Sequence, residues 1–153
     1  NKVAMNDNDR IRMLFTTSLS QTSRAYTSVA NKIAAAYGLS QATAWPAVMI
    51  GRMGNHVRPG ELAETLGLDP SSLVRIIDQL VNAGIVERLE DPQDRRAKIL
   101  NLTEEGEKII AQVEMALISF RGELLKDVPI SDIQACVRVL GALRSSVKSH
   151  ELV

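Results

Sequence analysis

A mainly α-helical chain carrying one small β-hairpin is the fold class this sequence predicts, and three observations predict it. Long stretches repeat apolar residues at every third or fourth position, the mark of one buried helix face. Two short helical stretches meet at Gly67 with almost no linker, the arrangement of a helix-turn-helix. Directly after them, two short apolar runs flank the segment DPQDRR, which reads as a hairpin wing. The 153 residues hold only 3% aromatics, so Leu, Ile, Val and Ala must fill the core.

Taken in order, residues 9 to 37 place Ile11, Leu14, Phe15, Leu19, Tyr26, Val29 and Ile33 on one stripe, and Gly38 stops that helix. Ser40 to Met53 is a second helix, whose Pro46 either kinks it or marks its first turn. GNHVRPG is a loop, and Pro59 suits the first turn of the short helix ELAETLG, closed by Gly67. In LDPSSLVRIIDQLVNAG, Asp69 is an N-cap, Pro70 the first helical residue and Gly84 the stop. IVERLE and AKILNLT are the strands of the hairpin around the turn DPQDRR, and Thr103 caps the next helix. That helix runs from 104 to 126 on Ile109, Ile110, Val113, Leu117, Phe120, Leu124 and Leu125. After a break at DVP, SDIQ fits a capping box from Ser131 to Gln134, opening a last helix on Ile133, Val137, Leu140, Leu143 and Val147. The whole is a winged helix-turn-helix plus long helices whose stripes need a partner surface.

Composition narrows the function. Formal net charge is zero, which argues against coating nucleic acid by bulk charge, so any such role needs placed charges. The single cysteine, Cys136, forbids an intrachain disulfide and fits a reducing, cytoplasmic setting. The opening NKVAMNDNDR has no apolar signal region, and no apolar run reaches membrane-spanning length. There is no glycine-rich phosphate loop, nucleophile–base pair or metal-ligand spacing, so neither an enzyme nor a cofactor is expected. His56 and His150 are too few and too far apart for zinc. Cys136 lies mid-stripe and reads as an inert core residue.

The placed charges sit on the second short helix and the wing. Winding residues 71 to 82 at about 100° per residue puts Leu73, Ile76, Ile77 and Leu80 on one face and Arg75 opposite. Around Arg75 fall Ser71, Asp78, Gln79 and Asn82, with Ser72 at the edge. Short hydroxyls at the start of a helix allow close approach to a groove. Arg75 can then reach guanine edges or phosphate, and Gln79 or Asn82 adenine or backbone. Arg95, Arg96 and Lys98 at the hairpin suit the minor groove, with Asp94 orienting one arginine through a salt bridge. Against this, residues 51 to 106 hold seven Lys/Arg and ten Asp/Glu, a net charge of −3. Affinity must therefore come from two copies docking together.

SLVRIIDQL, DPQDRRAK and LTEEGE resemble the winged-helix core of the MarR family of bacterial regulators, and SLVR, DQL, DRRAK and RGE are most similar to its SlyA-like branch. The resemblance spans nearly the whole chain. It implies one MarR-type domain over 1–153. Residues 1–38 and 104–153 would be dimerisation helices, and 40–103 the DNA-binding region. It further implies a cytoplasmic homodimer that reads a palindromic double-stranded operator and represses transcription until a small aromatic acid or phenol releases it. Ser72 and Arg75 carry over from the SLVR match and Arg95 and Arg96 from the DRRAK match. Ser71, Gln79 and Lys98 rest on the geometry above. For the ligand, the resemblance implies Trp45 and Arg24, while the family's second basic position is Thr27 here. The alternative is a winged-helix module for protein–protein contact with no direct DNA role.

Overall fold

The computed structural model describes residues 1 to 151. Six helices and one two-stranded sheet follow each other along these residues. They are α1 (Asp7–Ala35), α2 (Gln41–Arg52), α3 (Pro59–Leu66), α4 (Pro70–Asn82), β1 (Val86–Asp91), β2 (Asp94–Leu102), α5 (Glu104–Leu124) and α6 (Ile130–Glu151). The chain divides into two compact units. The first is Asn1–Leu117, and the second opens at Ile118 and takes in the end of α5 and all of α6.

The first unit owns the core. Ile50, Leu62, Leu73, Leu80 and Leu100 are fully buried, joined by Val57, Ile77, Ile85, Val86 and Ile110. These come from α2, α3, α4, the hairpin and the start of α5, so one apolar cluster fixes the helix-turn-helix against the wing. Ala34, Ala44 and Val113 form a small second cluster with Tyr37 and Leu117 against it. Of the apolar residues on α1, Leu14 stays 67% exposed, and Ile11, Phe15 and Val29 are also open.

Caps set most element boundaries. Asp69 accepts the backbone N–H of Ser72 at 3.2 Å, with Pro70 in the first turn, as the sequence predicts. Gly84 takes φ 75°, a region that costs a side chain but not glycine. The bonds from Gly84 N–H to Val81 and from Ile85 N–H to Leu80 then close α4. Thr103 receives the Gly106 N–H at 2.9 Å and donates to the Gly84 carbonyl at 2.6 Å, tying the start of α5 to the end of α4. A Cβ on Gly106 would lie 2.0 Å from the Ile85 carbonyl oxygen.

Three expectations change. Pro46 is buried inside α2, beyond its first turn, while Ser40 and Thr43 form the cap. The α6 helix begins at Ile130, so Ser131 lies within its first turn and makes no cap. The Pro129 carbonyl accepts from Asp132 and Ile133 instead. The hairpin is tighter than DPQDRR implies: Asp91 pairs with Asp94 across Pro92 and Gln93, with a bulge at Glu90/Asp91. Beside β2, the loop residues Asn55 and His56 adopt φ of 63° and 53°. The Asn55 side chain accepts the Leu102 N–H, Asn101 accepts the His56 N–H, and Val57 bridges Leu100.

In the second unit, α6 buries none of its residues. Val137 is 62% exposed, and Val139, Leu140 and Val147 are open as well. The exposed apolar set continues through Ile118, Leu124, Val128 and Ile130.

Candidate nucleic-acid interface

The α4 helix divides as its winding predicts. Leu73, Ile77 and Leu80 are buried, while Ser71, Ser72, Arg75, Gln79 and Asn82 are exposed on the other side. Val74 is exposed too, an apolar position on the outward flank. Asp69 does more than cap. Both hydroxyls are turned toward it: Ser71 Oγ donates to Oδ2 and Ser72 Oγ donates to Oδ1 at 2.6 Å. Those two hydroxyls, and then the Ser72 backbone N–H, hold the Asp69 carboxyl at about 2 against an ordinary 3.8.

The hairpin places its arginines differently from the expected tip. Arg95 and Arg96 are exposed but lie within β2. Neighbouring strand residues face opposite sides, so the two guanidiniums leave the ribbon on different faces. Asp94 forms no salt bridge with either. Its carboxylate accepts the Arg96 backbone N–H at 3.1 Å and shapes the turn. Asp91 likewise accepts the Gln93 N–H at 2.9 Å and takes the Arg58 guanidinium at 2.7 Å. The Gln93 N–H first, and Arg58 second, hold the Asp91 carboxyl below the usual range. The same pairing raises Arg58. Lys98 lies two residues beyond Arg96 on the same side and makes a loose 3.8 Å pair with Glu90.

These contacts sort the cations. Arg52 is paired with Glu114, Arg58 with Asp91 and Arg88 with Asp78. Among the described residues, Arg75, Arg95 and Arg96 carry no ion pair, so the free positive charge of residues 51 to 106 collects on α4 and β2. An apolar cavity of about 200 Å³ lies between α3, α4 and the root of the wing, lined by Ala63, Leu73, Val74 and Ile77, with Arg88 and Lys98 supplying its charge.

Sequence reasoning missed the Arg88–Asp78 and Arg58–Asp91 pairs, whose partners are brought together only by the folded wing. The hold of Asp69 on Ser71 and Ser72 had a local signal, since an Asp cap followed at two and three residues by serines is within reach of both. Of the ligand residues, Arg24 is exposed on α1 and donates to Ser20 Oγ at 3.1 Å. Trp45 is 52% exposed on α2, so it is no core aromatic of this chain. No hydrogen bond joins the two. Cys136 is exposed rather than buried, on a helix that buries none of its described residues. Among the described residues no cluster of His, Cys, Asp or Glu could hold a metal ion, and no helix is long and apolar enough to cross a membrane.

A family model described as MarR family matches residues 37–97. The solved transcriptional regulator PA3341 is 32% identical, over 88% of this chain and 98% of its own, with a TM-score of 0.73. CouR from Rhodococcus jostii RHA1, solved bound to p-coumaroyl-CoA, is 26% identical over 92% of this chain and 95% of its own, with a TM-score of 0.77. The transcriptional regulator SlyA, 19% identical over 87% of this chain and 93% of its own, superposes with a TM-score of 0.76. At that identity the likeness concerns the fold alone.

Proposed function

This chain belongs to the MarR family of transcription regulators, and from that premise we propose that it represses transcription as a homodimer bound to a palindromic operator. In this reading α4 enters the major groove, where Ser71 and Ser72 meet base edges and Arg75 and Gln79 meet base edges and backbone. Arg95 and Arg96 reach the flanking minor groove and phosphates, with Lys98 behind them. The exposed apolar stripes of α1 and α6 form the subunit interface. The observation that carries the reading is the sorting of charge. Three arginines of the winged region, Arg52 on α2, Arg58 before α3 and Arg88 on β1, are neutralised by carboxylates, and the three unpaired ones sit on the recognition helix and β2. A module that only contacted protein would not need its uncompensated guanidiniums there.

The test is binding to a duplex from the gene's own promoter, titrated in salt. Arg75→Ala should cost about 1–3 kcal/mol in specific binding and blur the sequence preference. Arg96→Ala should weaken all sequences alike and lower the salt slope by about 1. An unchanged slope removes the wing from the interface.

A small aromatic acid is the proposed effector, received near Trp45 and Arg24. CouR, solved bound to p-coumaroyl-CoA, supports the aromatic part of that class. Trp45 is the only tryptophan, so its fluorescence should change saturably with salicylate and DNA affinity should fall in parallel. A flat titration with salicylate and related phenols discards this effector class.

A further inference from the structure

Within the DNA interface proposed above, and resting on that reading, we propose that Asp69 makes the first turn of α4 select amino-bearing bases, cytosine or adenine. It does so by converting Ser71 and Ser72 into hydrogen-bond acceptors. A serine hydroxyl carries one proton and two lone pairs. Both protons are committed inward, from Ser71 Oγ to Oδ2 and from Ser72 Oγ to Oδ1 at 2.6 Å, and Oδ2 also takes the Ser72 backbone N–H at 3.2 Å. The carboxyl is ionised at every working pH, being held at about 2, and an ionised carboxylate only accepts. The sense of both hydrogen bonds is therefore fixed. What the exposed serines offer outward is lone pairs.

The major-groove edges then sort themselves. Cytosine offers its N4 amino group and adenine its N6 amino group, and both can donate to such a hydroxyl. Guanine and thymine present acceptors there. Phosphate is rejected on the same ground, because its oxygens only accept and the Asp69 charge repels them. Hydroxyls usually contact either kind of edge, so the selectivity belongs to Asp69 as a positioning residue. Asparagine in its place would keep the cap. It would provide one accepting oxygen and one donating amide, and could hold only one of the two hydroxyls in the accepting sense.

The experiment is selection from a random-sequence duplex pool with the full-length protein, alongside Ser71→Ala, Ser72→Ala and Asp69→Asn. Every base pair carries one amino-bearing base in the major groove, so what is selected is the strand that bears it. At each position whose preference an alanine erases, the wild-type chain should favour one orientation of the pair by roughly ten-fold or more. Purine or 2-pyrimidinone in place of that adenine or cytosine, which removes the amino group, should lose the preference. Asp69→Asn should flatten the preference at one or both of those positions and leave the rest of the operator profile intact. A merely structural cap would instead lower binding to every sequence alike, and that result overturns the proposal. So does a preference that survives removal of that amino group, or alanine variants with unaltered profiles. If Asp69→Asn does not fold, the two alanine variants decide alone, since erased amino-base preference supports the inference and an unchanged profile sinks it. Failure of the wild-type protein to select any duplex fails the DNA-binding reading itself, and this inference falls with it.

Discussion

The winged region and the long helices spend their apolar residues in opposite ways. From α2 through β2, the large aliphatic side chains close on one another, and Leu62, Leu73, Leu80 and Leu100 are almost wholly inaccessible. On α1 and α6 the same residue types, at equally regular spacing, stand open, with Leu14 at 67% and Val137 at 62% exposure. Apolar surface on this scale is stabilised by removal from water at about 25 cal/mol per Å². Exposed stripes on monomeric proteins are rarely so extended. One region is complete in a single chain, whereas the other has the pattern of a core with half its members missing. Periodicity alone therefore identifies an apolar face without saying whether its own chain covers it.

The sharpest way to break that contrast is a charge in an open stripe. Leu14→Glu should weaken self-association by roughly 3 kcal/mol or more, over a hundred-fold in Kd, because it would bury an unpaired carboxylate in the proposed interface. Sedimentation equilibrium at micromolar protein reads this directly. Unchanged association would remove α1 from the interface.

A matched pair of smaller changes sharpens it. Gly106→Ala inserts a methyl group 2.0 Å from the Ile85 carbonyl oxygen and should cost about 1–3 kcal/mol in urea unfolding, as overpacking does. Gly122→Ala, also in α5 but with nothing within 4 Å of the added carbon, should gain about 0.5–1 kcal/mol from helix propensity. A loss at Gly122 would instead place a partner subunit against it.

The smallest effect expected is the response to acid. The carboxyls of Asp69 and Asp91 are lowered in the folded chain, so each contributes stability that is present above the ordinary 3.8 and is lost as pH falls through the folded value. For Asp69 that window runs from about 4 down to about 2. The urea midpoint should be level from pH 6 to 5 and decline below 4, and Asp69→Asn should blunt the decline. An identical decline in the variant would assign it to other groups.

What was legible in advance follows the range of each interaction. The buried face of α4, its Asp69 cap and Gly84 stop, and the Thr103 cap are set by residues within one or two turns, and winding the sequence finds them. The Ser131 box has the right letters, yet Pro129 starts α6 first. The two strands of the hairpin are legible, but DPQDRR reads as a wider turn than the one formed, because strand pairing brings Asp91 opposite Asp94 and only the folded register reveals it. That shift changes the site, since Arg95 and Arg96 separate to opposite faces instead of projecting together. The ion pairs that leave those arginines free, Arg58–Asp91 and Arg88–Asp78, join residues 33 and 10 positions apart. No local pattern encodes them.

The loop that lies along β2 has a further consequence. A protruding ribbon offers unsatisfied main-chain groups to any extended peptide, and isolated ribbons are a common seed of aggregation. Here Val57 takes the outer rung at Leu100 and the Asn55 side chain accepts the next outward N–H, that of Leu102, while the Asn101 side chain on β2 holds the loop in place through the His56 N–H. Toward the tip, β2 carries the unpaired Arg95 and Arg96, whose like charges repel another copy of the same ribbon. The wing can thus be long enough to leave the protein body without becoming a template for fibril growth.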